Sequence, residues 1–308
     1  MRKFEENIAQ NLIIWLNALR ARQWHKNFLV FIPLIFAFRI SNLELVIRTF
    51  YLFAAFCAAS SSVYLFNDLL DKKQDLLHPL KKDRAVASGR ISTRTAMILA
   101  GILLVFSLLL VTLTIPISAS LILISYLILQ FFYNLGLRNI PAADVISIAL
   151  GFVLRAVGGA VAISVPFSEW LLICTFFGAV RLALGKRQAE LTAGKTGLRL
   201  GWEELGQDFA RILGAITSAA LTVSYTLYCF ASATARILGH GSEGSTFEFP
   251  PLLLSLPVVY FGIMRYEILA SKGVAGDPEL LIVKDKELSA SIVIWFIITF
   301  AALYLWRN

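Results

Sequence analysis

The run from Asn67 to Asp75, N-D-L-L-D-K-K-Q-D, places three aspartates and an asparagine within nine positions, directly after a long apolar stretch. Carboxylates crowded at a membrane edge are costly and repel one another, so a cluster there calls for a cation. If the preceding helix continues through the run, Tyr64, Asn67, Asp68, Asp71 and Asp75 fall at i, i+3, i+4, i+7 and i+11 and share one face. An oxygen-only face suits Mg²⁺, which takes one or two carboxylates and fills its shell with waters and phosphate oxygens. The competing reading is a solvated, mixed-charge loop between two membrane spans. The single-face spacing favours a metal–diphosphate site at a membrane surface.

A basic set follows at once: Lys81, Lys82, Arg84 and Arg90 within H-P-L-K-K-D-R-A-V-A-S-G-R. Pro79 and Gly89 punctuate this loop, so it can fold back over the aspartates. Lysine offers a point charge and arginine a fork of donors, both suited to phosphate. Topogenic charge alone would explain the sign of the loop but not its interleaving with aspartates. Upstream, Arg22 and Lys26 in R-A-R-Q-W-H-K-N are i, i+4 neighbours, with Trp24 reading as an interface anchor. Arg22 could equally be topogenic, and Lys26 is the better ligand candidate. Later, Gly185 to Leu191 reads G-K-R-Q-A-E-L. Lys186 and Glu190 there fit a plain i, i+4 pair as well as a second anion clamp that includes Arg187.

Three further charges stand in or beside apolar runs. Arg155, just before Gly158 and Gly159, lies well inside its run and is a functional candidate by position alone. Arg181 lies nearer a helix end and could snorkel, while Asp144 reads as a helix cap. The run G-D-P-E-L-L-I-V-K-D, 276–285, could add Asp277, Glu279 or Asp285 to a polar mouth, or be a solvated turn. Cys57, Cys174 and Cys229 sit unpaired in apolar segments and read as core residues. His25, His78 and His240 are scattered and make no zinc or catalytic motif.

The elements that must carry these residues are membrane helices. The chain has 308 residues, 58% of them hydrophobic, with mean hydropathy +0.74, against about 45–50% apolar for a soluble domain. The fold class is therefore all-α integral membrane. Apolar stretches of about 20 residues give about nine spans, near 23–40, 43–68, 94–115, 117–137, 141–163, 168–187, 209–236, 249–271 and 287–306. Residues 1–308 read as a single polytopic domain, with 1–20 an amphipathic helix lying on the membrane surface. Glu5 and Glu6 ahead of the apolar residues argue against a signal peptide. Lys and Arg concentrate in the N-terminal segment and in the connections after the second, sixth and eighth spans. That bias predicts a cytoplasmic N-terminus and cytoplasmic substrate loops at 69–93 and 186–208, with the C-terminus outside. The formal charge of +8 is thereby a topology signal, and nucleic acid is not an expected partner.

N-D-x-x-D-x-x-x-D followed by H-P and A-S-G-R resembles the first aspartate-rich motif of the UbiA-type membrane prenyltransferase superfamily. The resemblance covers nearly the whole chain. It implies a helical bundle with a central cavity open to the cytoplasm and laterally to lipid, in a bacterial cytoplasmic (inner) membrane. Usual members bind a prenyl diphosphate through Mg²⁺ bridged by two aspartate-rich motifs. This chain departs at the second, where G-K-R-Q-A-E-L is basic instead of acidic. With R-x-R-Q-W-x-K-N, S-x-V-Y-L-x-N-D-x-x-D and G-D-P-E, it looks like the branch that uses phosphoribosyl diphosphate (PRPP) as donor and a polyprenyl, decaprenyl-like phosphate as acceptor.

That resemblance implies that Asn67 and Asp71 bind Mg²⁺, with Asp68 and Asp75 in or just outside its shell, these aspartates forming the catalytic set. Lys26, Tyr64, Lys81 and Lys186 would hold the donor's phosphates or ribose, and Arg84, Arg155, Arg187 and Glu190 would serve either substrate. A conventional prenyl transfer to an aromatic acceptor remains open. So does a transporter of phosphorylated lipids whose path Arg155 would line. Chain length of the lipid and oligomeric state, a homo-oligomer included, are not fixed by the sequence.

Overall fold

The computed structural model describes residues 12–77, 79, 81–166, 168–193, 201–239 and 250–305, except the side chains of 232–239, 279, 303 and 305. The expected surface helix up to residue 11, His78, His240, Lys195, Arg199 and the Glu279 side chain lie outside that set. Among the described residues every regular element is helical. After α1 (12–18) and a 3-10 helix, Ala21–Phe31, come α2 (Ile32–Phe36), α3 (Leu43–Leu70), α4 (Lys72–Leu77) and α5 (Thr93–Thr114). They are followed by α6 (Ile117–Leu135), α7 (Pro141–Ala162), α8 (Glu169–Thr192) and α9 (Trp202–Gly239). A 3-10 turn, Pro251–Ser255, then leads into α10 (Leu256–Ser271), α11 (Pro278–Lys284) and α12 (Lys286–Phe300).

Local chemistry sets these boundaries. The Asn42 side chain accepts from the Leu45 amide and Ser92 from the Thr95 amide, capping α3 and α5. Pro141 opens α7, where a missing N–H costs nothing. Pro116 separates α5 from α6. Asp277 and Asp285 cap α11 and α12, which assigns structural work to two residues of the 276–285 run. Hydrogen bonding from Arg265, then from the Leu288 amide, holds the Asp285 carboxyl below the usual carboxylate range. Gly206, at φ 74, breaks the path of α9 near its start.

Among the described residues, six helices are long and apolar enough to cross a membrane: α3, α5, α6, α7, α9 over 202–231, and Pro251–Ser271. The chain is thus a multi-pass membrane protein, and the expected count of about nine spans is not confirmed. Each of the other three expected spans has a physical departure. The segment near 23–40 is a 3-10 helix followed by five helical residues. The one near 168–187 lies in α8, which carries Glu169, Arg181, Lys186, Arg187 and Glu190. The last is α12, 15 residues continued by a π-helical turn at Ala301–Leu305.

The chain divides into two compact units. The first comprises Met1–Leu135 and Leu154–Pro166, and the second Gly136–Val153 and Phe167–Asn308. In the first, α3 packs along α5 through Ala55, Ala59 and Ser62, whose small size lets the backbones approach. Ser62 Oγ donates to Ala100 O at 2.7 Å across that contact. One core gathers Val30, Leu52, Phe56, Val111, Leu123 and Tyr126, and another gathers Ala18, Leu65, Val86, Ile91 and Ala96. In the second unit, α8 packs along α9 around Val145, Leu184, Trp202 and Ala210. A further cluster of that unit joins Tyr266, Leu269, Leu281 and Leu288.

Gly159 lies so close to the 3-10 segment that a Cβ there would meet Val30 O at 2.1 Å. That atom is backbone and cannot swing aside, so Gly159→Ala is expected to destabilise the protein by about 1–3 kcal/mol. Thermal unfolding in detergent micelles reads this as a lower midpoint.

Candidate functional site

The aspartate run is built on the end of α3. Although α3 closes at Leu70, the Asp71 amide donates to Asn67 O at 2.9 Å and the Asp75 amide to Asp71 O at 2.8 Å. Asp71 nevertheless caps α3 at ψ 1, so α3 and α4 are two successive helices and the expected single continuous helix through the run is interrupted there. Asp68 and Asp75 are buried, whereas Asn67 and Asp71 are partly open. Arg84 returns from the following loop to place its Nη1 3.2 Å from Asp68 Oδ1 and 2.7 Å from Asp75 Oδ2. Arg20 reaches the same Asp68 oxygen at 2.6 Å and lies 4.5 Å over the Tyr64 ring.

The loop folds back because its apolar residues have somewhere to go. Ala85, Val86 and Ile91 pack beside Ala18, Leu65 and Ala96 in the second core of that unit. Gly89, at φ 77, makes the turn, and the Ile91 amide donates to Ala85 O at 2.9 Å. Arg90 is turned to the Asp83 carbonyl. Thus Arg84 holds carboxylates, a different use from the phosphate ligand expected of it, and Arg20 is a partner that sequence order did not single out. Arg84→Ala leaves two buried carboxylates short of a cation. With the guanidinium about a quarter exposed, the expected loss is about 1–3 kcal/mol. Chemical denaturation should show it, partly reversed in Arg84→Ala/Asp75→Ala.

The donors of this motif are all oxygens, which fits a hard cation such as Mg²⁺. Among the described residues no three or more His, Cys, Asp or Glu side chains gather closely enough to hold a metal ion. A cation here would rest on a smaller protein set completed by water and substrate oxygens, as is usual for Mg²⁺.

In the same unit, Arg155 is 5% exposed. Its Nε donates to Asn27 Oδ1 at 2.7 Å and its Nη2 to Tyr126 O–H at 3.0 Å, with the Phe56 and Tyr126 rings beside the guanidinium. Asn27 belongs to the 3-10 segment that carries Lys26. Trp24 of that segment donates to Ser61 Oγ at 3.0 Å, so it ties the segment to α3, where an interface anchor was expected. Lys26 and Lys81 are both partly exposed.

The second unit holds the basic run. Helix α8 continues to Thr192 and α9 begins at Trp202, so Lys186, Arg187 and Glu190, expected in a loop over 186–208, are helical residues. Lys186 is exposed and Arg187 is buried. Arg187 Nε donates to Asp144 Oδ2 at 2.7 Å and its Nη2 to Asp144 Oδ1 at 3.3 Å, while Nη1 reaches Glu190. Trp202 Nε1 also donates to Asp144, at 3.3 Å. Asp144 is fully buried in the first turn of α7, an ion-pair partner in place of the expected cap. Removing one member of such a pair costs about 3–5 kcal/mol because the other charge stays buried.

Arg181 departs from the snorkelling expectation too. It is buried, with Nε and Nη2 on the two carboxylate oxygens of Glu267 at 2.6 and 2.7 Å. Glu267 within an apolar run was a signal that sequence reading passed over. Cys57 and Cys229 are buried free thiols, and Cys174 is partly buried.

A model of the UbiA prenyltransferase family matches residues 29–272. The chain belongs to that family. The decaprenyl-phosphate phosphoribosyltransferase of Mycolicibacterium smegmatis is 30% identical over 306 residues, covering 97% of this chain and 94% of that protein. A protein of the same name from Corynebacterium glutamicum is 31% identical over 97% of this chain and 89% of its own length. Among solved structures, a UbiA homologue from Archaeoglobus fulgidus bound to DMAPP and Mg²⁺ aligns with TM-score 0.69 and 18% identity, over 94% of this chain and 98% of that one. At that identity the likeness establishes the UbiA fold. Both the Asn67–Asp75 run and the basic run at Gly185–Leu191 fall within the matched residues.

Proposed function

We propose that this protein transfers the 5-phosphoribosyl group of PRPP to a polyprenyl phosphate, releasing diphosphate. The observation that carries this reading is the identity of about 30% with decaprenyl-phosphate phosphoribosyltransferases over nearly the whole of both chains. The exposed Lys186 supports it, since both substrates of this reaction are anionic.

Asn67 and Asp71 would hold Mg²⁺, as the resemblance to the UbiA-type first motif implies, with Asp68 and Asp75 held by Arg20 and Arg84 beside them. When bound, the ion would neutralise charge developing on the departing diphosphate. The candidate ligands for the donor's phosphates or ribose are Lys26, Tyr64 and Lys81 in the first unit and Lys186 in the second. A lipid phosphate oxygen attacks the anomeric carbon, a C–O bond forms, and the bond to diphosphate breaks with its electron pair leaving on oxygen. Attack from the face opposite the leaving group inverts α to β. The nucleophile needs no protein base, because a phosphate monoester's second pKa is about 6. The protein's work is therefore orientation and charge neutralisation. The lysine and arginine distribution supports a cytoplasmic donor site in a bacterial cytoplasmic membrane, with the isoprenoid chain in the bilayer.

Prenyl transfer from a prenyl diphosphate to an aromatic acceptor is the second reading, favoured only by the family's general name. Donor competition separates them. Purified protein given labelled PRPP, Mg²⁺ and polyprenyl phosphate should form product that unlabelled PRPP suppresses and geranyl diphosphate does not. Suppression by geranyl diphosphate alone would favour the second reading.

A further inference from the structure

Two lysines assigned above to the donor are each followed in sequence by a buried residue tied to α7. Lys26 precedes Asn27, 1% exposed, whose Oδ1 accepts from Arg155 and whose amide donates to Cys57 Sγ at 3.2 Å. Lys186 precedes Arg187, 4% exposed, whose guanidinium is held in two-point contact by Asp144. The first pair lies wholly within the first unit and the second wholly within the second. Both α7 partners are buried themselves, at 5% for Arg155 and 0% for Asp144.

Polar side chains this deep are costly unless paired, so each pair has one favoured arrangement and fixes the backbone that bears it. That matters for a lysine. Its ammonium is a point charge on a long flexible stem, so it selects a phosphate geometry only if its Cα is held. Unanchored, Lys26 would ride on a 3-10 helix, a weakly held form, and Lys186 on the last two turns of α8, where helices fray. Gly159 adds to the first anchor by letting the 3-10 segment close on α7. Tolerance for misplacement in such sites is small.

We infer that Asp144 and Arg155 are positioning residues, each within its own unit: Asp144 acts through Arg187 to set Lys186, and Arg155 acts through Asn27 to set Lys26, as phosphate-binding lysines. This rests on the donor-site reading above, and it removes Arg155, Arg187 and Glu190 from the substrate contacts expected of them.

The test uses full-length protein in nanodiscs, with equilibrium binding of labelled PRPP in Mg²⁺ and thermal unfolding of each variant. Apolar replacement of a buried ion pair is often neutral for stability, so Asp144→Leu/Arg187→Met is expected to stay folded. Its Kd for PRPP should rise about tenfold. Lys186→Ala should raise Kd at least as much in the parent but less than twofold further in the double variant. A merely structural pair would give an unchanged Kd in the folded double variant, or the same Lys186→Ala factor in both backgrounds. Either result overturns the inference. Should the double variant not fold, Asp144→Glu shifts the guanidinium while keeping its charge. It should raise KM for PRPP and leave KM for polyprenyl phosphate unchanged, and equal values for both would overturn the inference. Asn27→Leu/Arg155→Met is read against Lys26→Ala in the same way. If Lys186→Ala alone leaves Kd unchanged, Lys186 is no donor ligand, and the donor-site reading fails together with this one.

Discussion

Asp71→Asn is expected to lower PRPP-dependent turnover by about a hundred- to a thousandfold. The substitution keeps the shape of the side chain and removes its charge. Asp71 sits at the junction of α3 and α4, partly open, and its backbone bonds do not involve the carboxylate. The charge that balances a divalent cation is thereby lost while the side chain's shape is kept. Two readouts follow: a lower kcat at saturating PRPP, and a higher Mg²⁺ concentration for half-maximal activity. Asp68→Asn should behave differently, because Asp68 is buried and bonded to Arg20 and Arg84, and its loss should appear first as reduced stability. If Asp71→Asn kept both its rate and its Mg²⁺ midpoint, the assignment of the metal face would be wrong.

Lys186→Ala is expected to raise KM for PRPP by about ten- to a hundredfold, the range for losing one charge-assisted hydrogen bond. The residue is exposed on α8, next to the buried Arg187, so its removal leaves the Asp144 pair intact. Steady-state kinetics at saturating polyprenyl phosphate should show the change in KM. Lys186→Arg should recover part of the affinity, since charge returns with a different donor geometry. Unchanged KM and rate would remove Lys186 from the donor site.

Much of this was legible in the sequence, and the reasons are specific. The 20-residue apolar stretches at 43–70, 93–114 and 117–135 are long enough that hydropathy alone marks them. The spacing of Asn67, Asp68, Asp71 and Asp75 called for one helix continuing past the apolar run, whereas α3 ends at Leu70 with Asp71 as its cap and α4 begins at Lys72. The return of the basic loop was readable from Pro79 and Gly89, but its destination was not. Arg84 read as a phosphate ligand, and only the fold places it against Asp68 and Asp75. Partners distant in sequence were illegible for the same reason. Asn27 lies 128 positions from Arg155, and Asp144 lies 43 from Arg187, so no local periodicity links them. Charge patterning nevertheless flagged one end of each pair, because a charge in an apolar run is rare enough to demand a partner.

The most direct test of phosphoribosyl transfer is the product itself. Purified protein should be incubated with Mg²⁺, labelled PRPP and a polyprenyl phosphate, and the lipid extract read by mass spectrometry. A polyprenyl-phosphoryl-phosphoribose product that needs Mg²⁺ and is lost in Asp71→Asn is the expected result. Absence of that product across several lipid lengths, with a prenylated acceptor formed instead when prenyl diphosphate is supplied, would contradict it.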